Sequence, residues 1–164
     1  MRKTLEAISL LALAVLAWIT WSAFHGPEPL PERVPTHFDF AGNPNAWGSP
    51  AGLVLLPAIA LALYLFLSLL SCFPSIFNYP VRVTAENRPR LQALALQMMA
   101  WMKMELVCAL AWIQWMVIDA MRHGQGRFFA ALGLVALLCS LGTTGWYIAA
   151  MVRAGKPPQE MPRD

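Results

Sequence analysis

The sequence predicts an all-α fold, an integral membrane bundle of four transmembrane helices, and three observations carry that prediction. Hydrophobic residues make up 58% of the chain and charged residues 13%, about half of the roughly 25% charged residues of a soluble domain. The apolar residues gather into four blocks, each near the length that crosses a hydrocarbon core of roughly 30 Å. A soluble core would break into shorter amphipathic runs. Most Lys and Arg residues lie between the blocks, as they do in membrane proteins. The 164 residues suit a single membrane domain, 1–164.

The first helix is expected at about 5–24, after Arg2 and Lys3. Its apolar run exceeds the roughly 7–15 residues of a signal-peptide core, so it reads as a retained anchor. Trp18 and Trp21 suit an interface at its far end. The loop 25–50 holds Pro27, Pro29, Pro31, Pro35, Pro44 and Pro50, and proline at this density cannot continue a helix. Thr36–Phe40 reads as a short extended piece and Asn43-Pro44 as a turn. Helix two is expected at about 51–73, capped by Ser49 with Pro50 as its first residue, kinked at Pro57 and ended by Pro74. The loop 74–90 carries Arg82, Arg88 and Arg90, with Thr84 or Asn87 as caps for helix three at about 91–121. That block is longer than a membrane needs, so part of it should protrude. Helix four is expected at about 128–152, followed by the tail 153–164.

Charge placement sets the expected orientation. Arg2, Lys3, Arg82, Arg88, Arg90, Arg153, Lys156 and Arg163 fall on one side; Arg33, Arg122 and Arg127 fall on the other. By the positive-inside rule both termini are cytoplasmic and the Pro-rich loop 25–50 is extracytoplasmic. The expected location is a bacterial cytoplasmic (inner) membrane, with the lipid bilayer as first partner. The net charge of +3 does not point to nucleic acid, because no basic run is interleaved with aromatics. Cys72, Cys108 and Cys139 lie inside apolar blocks and read as small packing residues rather than a disulfide scaffold.

Burial from water does not drive helices together in lipid; close packing and interhelical hydrogen bonds do. Ala136, Ser140 and Thr144 form a small-residue stripe on helix four, which Gly142 and Gly145 should thin for tight packing. Helix three carries Lys103 and Glu105, and ionisable residues inside a membrane are functional candidates. Two residues turn a helix by about 200°, so these side chains point apart. Gln92, Lys103 and Gln114 share one stripe; Glu105, Trp112 and Asp119 share another, with Trp101 adjacent. Lys103 is expected to snorkel toward the interface. Glu105 is expected to be hydrogen-bonded inside the bundle, or to bind a proton or substrate.

His25, His37 and His123 all fall near the predicted outer face, with Glu28, Glu32 and Asp39. His37, Asp39 and His123 form at most a weak metal candidate, lacking the spacing of zinc motifs. No cofactor is expected, and no catalytic nucleophile arrangement can be assembled. Pro31 and Pro35 stiffen the loop, Gly42, Asn43 and Pro44 turn it, and Trp47 reaches the interface.

The run Leu30-Pro31-Glu32-Arg33-Val34-Pro35-Thr36-His37-Phe38-Asp39, then Gly42-Asn43 and Trp47-Gly48-Ser49, resembles the signature of the domain of unknown function 1648 membrane protein family. There a similar segment joins the first two membrane helices. Phe77-Asn78-Tyr79-Pro80-Val81 also looks like small members of that family. Its larger relatives include an immunity protein and signal transducer that protects cells from a secreted killing peptide, but those carry further helices and a further motif. The resemblance implies a non-enzymatic protein that binds a membrane protein partner or extracellular peptide through Pro35, His37, Asp39, Asn43 and Trp47. Two alternatives stand beside it: a small oligomeric transporter or channel component using Glu105 and Lys103, and an intramembrane metalloprotein or enzyme centred on His37.

Overall fold

The computed structural model describes residues 1–39, 41–124 and 129–155, with side chains of the last stretch from 133 onward. Among them are four helical segments long and apolar enough to cross a membrane, the second being Pro50–Leu70, in which a 3-10 turn leads into α2. α1 spans Arg2–His25, α2 Leu55–Leu70, α3 Arg88–His123 and α4 Phe129–Ala154. Phe40, Arg127 and the tail residues Lys156 and Arg163, all used in the sequence reading, lie outside the described residues.

α3 is the spine, and α1, α2 and α4 each pack against it. Its 36 residues measure about 54 Å at 1.5 Å per residue, well beyond a bilayer core of roughly 30 Å. An apolar cluster closes the bundle at each end. At the terminal end, Leu91 and Ala95 of α3 meet Tyr147, Met151 and Ala154 of α4, with Phe77, Tyr79 and Val81 of the preceding loop packed over them. At the other end, Ala23 of α1, Leu53 of the 3-10 turn before α2 and Ile118 of α3 form the second cluster, with Leu30 against it. Many apolar side chains elsewhere are exposed, among them Leu11, Leu65, Phe66 and Leu141. In water this would be a liability; in lipid it is the expected surface.

The connection between α1 and α2 is more ordered than the sequence suggested. Val34–Phe38 (β1) and Pro44–Gly48 (β2) pair as an antiparallel hairpin. Pro44 is tolerated because it opens a strand, where the missing N–H costs little. The register shifts on either side of His37, a local irregularity that bends the ribbon. The isolated extended piece expected at 36–40 is therefore one arm of a hairpin. β1 packs on α3, and Val34 is fully buried.

Four further expectations are corrected. Pro57 does not kink a long helix: Pro50–Val54 is a separate 3-10 turn, so Pro57 sits in the first turn of α2, where no N–H partner is missing. Ser49 caps that turn, accepting from Ala51 N–H at 3.2 Å. α2 ends at Leu70, before Phe73. Gly142 and Gly145 are exposed, and a Cβ added to either meets nothing within 4 Å, so they do not thin a packed face. Cys72 and Cys139 are free and exposed rather than packed in the core, and Cys108 is free and partly buried.

At the end of α1, a Cβ on Gly26 would lie 2.5 Å from the Ser22 carbonyl oxygen, the atom that accepts the Gly26 N–H. Gly26→Ala should therefore force the chain off its exit path and cost roughly 1–3 kcal/mol. Gly52→Ala, where a Cβ meets nothing within 4 Å, should be neutral. Thermal unfolding of the two variants in the same detergent checks the contrast.

Candidate functional site

The polar groups inside the spans form three separate constellations on α3. The first centres on Lys103, which is 3% exposed. Its Nζ lies 2.5 Å from Glu6 Oε1 of α1 and donates to Ser68 Oγ of α2 at 3.1 Å. Tyr64 OH donates to Glu6 Oε2 at 3.1 Å, and its ring centroid lies 5.2 Å from the ammonium, within cation–π range. Lys103 therefore does not snorkel. Glu6 supplies the counter-charge inside the bundle, and an ion pair with extra hydrogen bonds is the arrangement that offsets desolvation. Sequence reasoning missed Glu6, Tyr64 and Ser68. One signal was present: α1 and α3 are apolar helices carrying isolated charges of opposite sign.

Gln114 forms the second constellation, three turns further along the same face. It is fully buried, and its Nε2 donates to Thr20 Oγ1 of α1 and to the Leu53 carbonyl, both at 2.9 Å. Its Oε1 is buried without a protein partner. Gln92, on the same predicted stripe, is only partly buried. The third lies on the opposite face. Ser140 Oγ and Thr143 Oγ1 of α4 donate to Glu105 Oε2 and Oε1 at 3.0 and 2.6 Å. Lys103 and Glu105 thus face different helices.

The hairpin residues divide into those that build it and those it displays. Asp39 is a builder. Its Oδ1 accepts from the Ala41 and Asn43 N–H groups at 2.9 and 2.8 Å, while Asn43 Nδ2 reaches Oδ2 at 3.4 Å. Gly42, at φ +84°, takes the left-handed position that the turn requires. These bonds, led by the Asn43 N–H, hold the Asp39 carboxyl below its ordinary 3.8. Pro35 is buried. On the displayed side, Asn45, Ala46 and Trp47 of β2 are exposed. His37 Nδ1 lies 2.5 Å from Asn45 Oδ1, a side-chain contact that joins the two strands. Arg122 at the end of α3 donates to the Glu28 carbonyl at 3.1 Å, tying the segment before β1 to the bundle.

The other histidines have their own local partners. His25 stacks on Trp21 at 5.6 Å, and His123 lies 3.1 Å from Asp119 Oδ1. Among the described residues, no group of three His, Cys, Asp or Glu side chains is close enough to hold a metal ion.

Fold and site together define a multi-pass membrane protein with a β-hairpin between its first two spans. Residues 8–61, which cover most of α1, the hairpin and the start of α2, match the family described as "Domain of unknown function (DUF1648)". A protein of Archaeoglobus fulgidus (strain ATCC 49558 / DSM 4304 / JCM 9628 / NBRC 100126 / VC-16) named "Uncharacterized protein" is 37% identical over 90 residues, covering 48% of this chain and 45% of the relative. Aligned with it, the chain spans less than half of that relative's length. No solved structure matches the chain.

The Lys103 constellation makes a stability prediction. Glu6→Leu strands a buried ammonium and should cost roughly 3–5 kcal/mol, with Lys103→Met costing less because Glu6 is partly exposed. The double variant should recover most of the loss. Unfolding midpoints in nanodiscs test this, and strictly additive losses would mean that the pair is not coupled.

A second prediction concerns acid. Because the folded pKa of Asp39 lies below 3.8, its contribution to the turn is complete above that pH. It disappears as pH falls from 3.8 through the folded value. The amide resonances of Ala41 and Asn43 should shift in that window, and Asp39→Asn should abolish the acid-dependent step.

Proposed function

We propose that the chain is a non-enzymatic membrane protein that binds a partner, an extended peptide segment, through the outer strand of its hairpin. The observation carrying this reading is the unequal dress of the two strands. β1 is pinned to the bundle by Val34 and Pro35, while β2 presents Asn45, Ala46 and Trp47 to the outside. An open strand edge is a template for a further strand: its main-chain groups supply affinity and its alternate side chains specificity. Trp47, 53% exposed, is the kind of amphipathic anchor that dominates binding energy. The turn bonds of Asp39 and the Arg122 tether preorganise the surface, which lowers the entropic cost of binding.

In the same reading the hairpin is extracytoplasmic and both termini are cytoplasmic. Support comes from the terminal end, where Arg2, Lys3, Arg82, Arg88, Arg90 and Arg153 are all exposed. An immunity-like or signalling role follows if the bound segment belongs to an extracellular peptide or to a membrane protein. Transport draws less support, since the Lys103 charge is already matched by Glu6 and the Glu105 oxygens are occupied by two hydroxyls.

The test places a photo-crosslinking residue at position 45, 46 or 47 in living cells and compares it with position 65 on lipid-facing α2. A discrete adduct from the β2 positions alone, lost when 34–48 is replaced by a Gly-Ser linker while the spans still insert, is the expected result. Equal adducts from both regions, or none from β2, would remove the hairpin as the binding element.

A further inference from the structure

We infer that the terminal end of the bundle holds a specific anionic phospholipid, with an acyl chain in a groove beside α3 and α4 and its phosphate against the first basic residues of α1. The groove is lined by Met1, Trp101, Gly142, Thr143, Trp146 and Tyr147 and has a volume of about 410 Å³, within the roughly 300–1,000 Å³ of small-molecule sites. Its walls are almost wholly apolar. It faces lipid, so a chain can enter laterally without crossing water.

Three features select the occupant. The groove is open at Gly142, where a Cβ would meet nothing within 4 Å, and Trp101 and Trp146 line it as well. The two indoles are amphipathic and suit the depth where acyl chain gives way to headgroup; Trp146 is 57% exposed and packs edge-on to Tyr147 at 4.6 Å. Met1 forms part of the lining, and Arg2 and Lys3 follow it immediately, both exposed. Neither has a carboxylate partner among the described residues, because Glu6, the nearest acid on α1, is bound to Lys103. An apolar slot that ends at Met1, with two exposed cations next in the chain, fits an acyl chain bearing a phosphate. A neutral hydrocarbon would leave the rim unmatched, and free phosphate would leave the slot empty.

The ion pair contributes to this selectivity. Because the Glu6 carboxylate is neutralised by Lys103, the exposed Arg2 and Lys3 of α1 keep their charge uncompensated.

The full-length chain is reconstituted in vesicles of equal phosphatidylglycerol and phosphatidylcholine with matched acyl chains, extracted gently, and its retained lipid counted by native mass spectrometry. The wild type should retain phosphatidylglycerol in preference by at least about fivefold, the value of one surface charge. Arg2→Gln/Lys3→Gln should bring the ratio to about one. Gly142→Trp, which fills the slot, should lose bound lipid of both kinds while keeping its thermal midpoint in detergent. No preference in the wild type, or undiminished retention by Gly142→Trp, would overturn the assignment. If Gly142→Trp fails to fold, the double charge variant decides alone, and an unchanged ratio overturns the proposal.

Discussion

A charge inside the hydrocarbon must find its opposite there, and the Lys103–Glu6 pair shows how far that requirement organises this bundle. Lipid gives no hydrophobic reward for bringing two apolar helices together, so specific polar bonds have unusual weight in choosing neighbours. Lys103 gathers Glu6 from α1 and Ser68 from α2 in one constellation. Eleven residues later, on the same face, Gln114 gathers Thr20 from α1 and the Leu53 carbonyl leading into α2. Two clamps about 16 Å apart along one axis fix both the rotation and the height of α1 and α2 against α3. Glu105, about 200° around the helix, performs the same service for α4 through Ser140 and Thr143. The spine thus sorts its neighbours by stripe: one polar face takes the first two spans and the opposite face takes the last.

The hairpin depends on that sorting. Its base is held where α1 ends, where the 3-10 turn before α2 begins, and where α3 stops. Leu30 bonds back to the Ala23 carbonyl at 2.8 Å, and Val34 is buried beside α3. A two-stranded ribbon alone is marginal in water. Here the turn supplies its own carboxylate–amide bonds and the base is packed, so β2 can leave Ala46 and Trp47 exposed while Asn45 meets His37. The division between a builder strand and a displayed strand is a property of the anchoring, not of the strand sequences.

Much of the architecture was legible because a membrane imposes long, simple patterns. Span number and the two stripes of α3 came from apolar length and helical periodicity, which tertiary contacts seldom override. The partners of the polar groups were another matter. Glu6 and Lys103 are 97 residues apart in sequence, and no local rule joins them; only their opposite charges within two apolar helices hinted at it. The hairpin was masked because Pro35 and Pro44 are poor strand formers in general yet acceptable at an edge or a strand start. Asp39 and Asn43 were candidate ligands by residue type. The same carboxylate and amide that would bind a partner also cap a turn, and position alone does not say which. Gly142 and Gly145 were misread for a related reason. A small residue permits close helix contact but does not require it, and on α4 the contact runs through Ser140, Thr143 and Tyr147 instead.

The tryptophans relate these elements to the bilayer. Trp18, Trp21, Trp112 and Trp115 lie exposed toward the hairpin end, and Trp146 lies exposed toward the terminal end with the partly buried Trp101. Along α3, Trp101 and Trp115 are about 21 Å apart, and Trp101 and Asp119 about 27 Å, which brackets a hydrocarbon layer of ordinary thickness. Lys103 then sits only about 3 Å inside one belt. That is shallow enough for a lysine to reach water by snorkelling, yet it turns inward to Glu6 instead. Taking the costlier route implies that the pair serves assembly: a snorkelling Lys103 would leave α1 and α2 without their first clamp. The part of α3 before Trp101 projects beyond the belt, and there Leu91 and Ala95 pack with the 77–83 segment and the end of α4. Outside the lipid, water again rewards apolar burial, so this overhang is held by the hydrophobic effect while the spans are held by polar clamps.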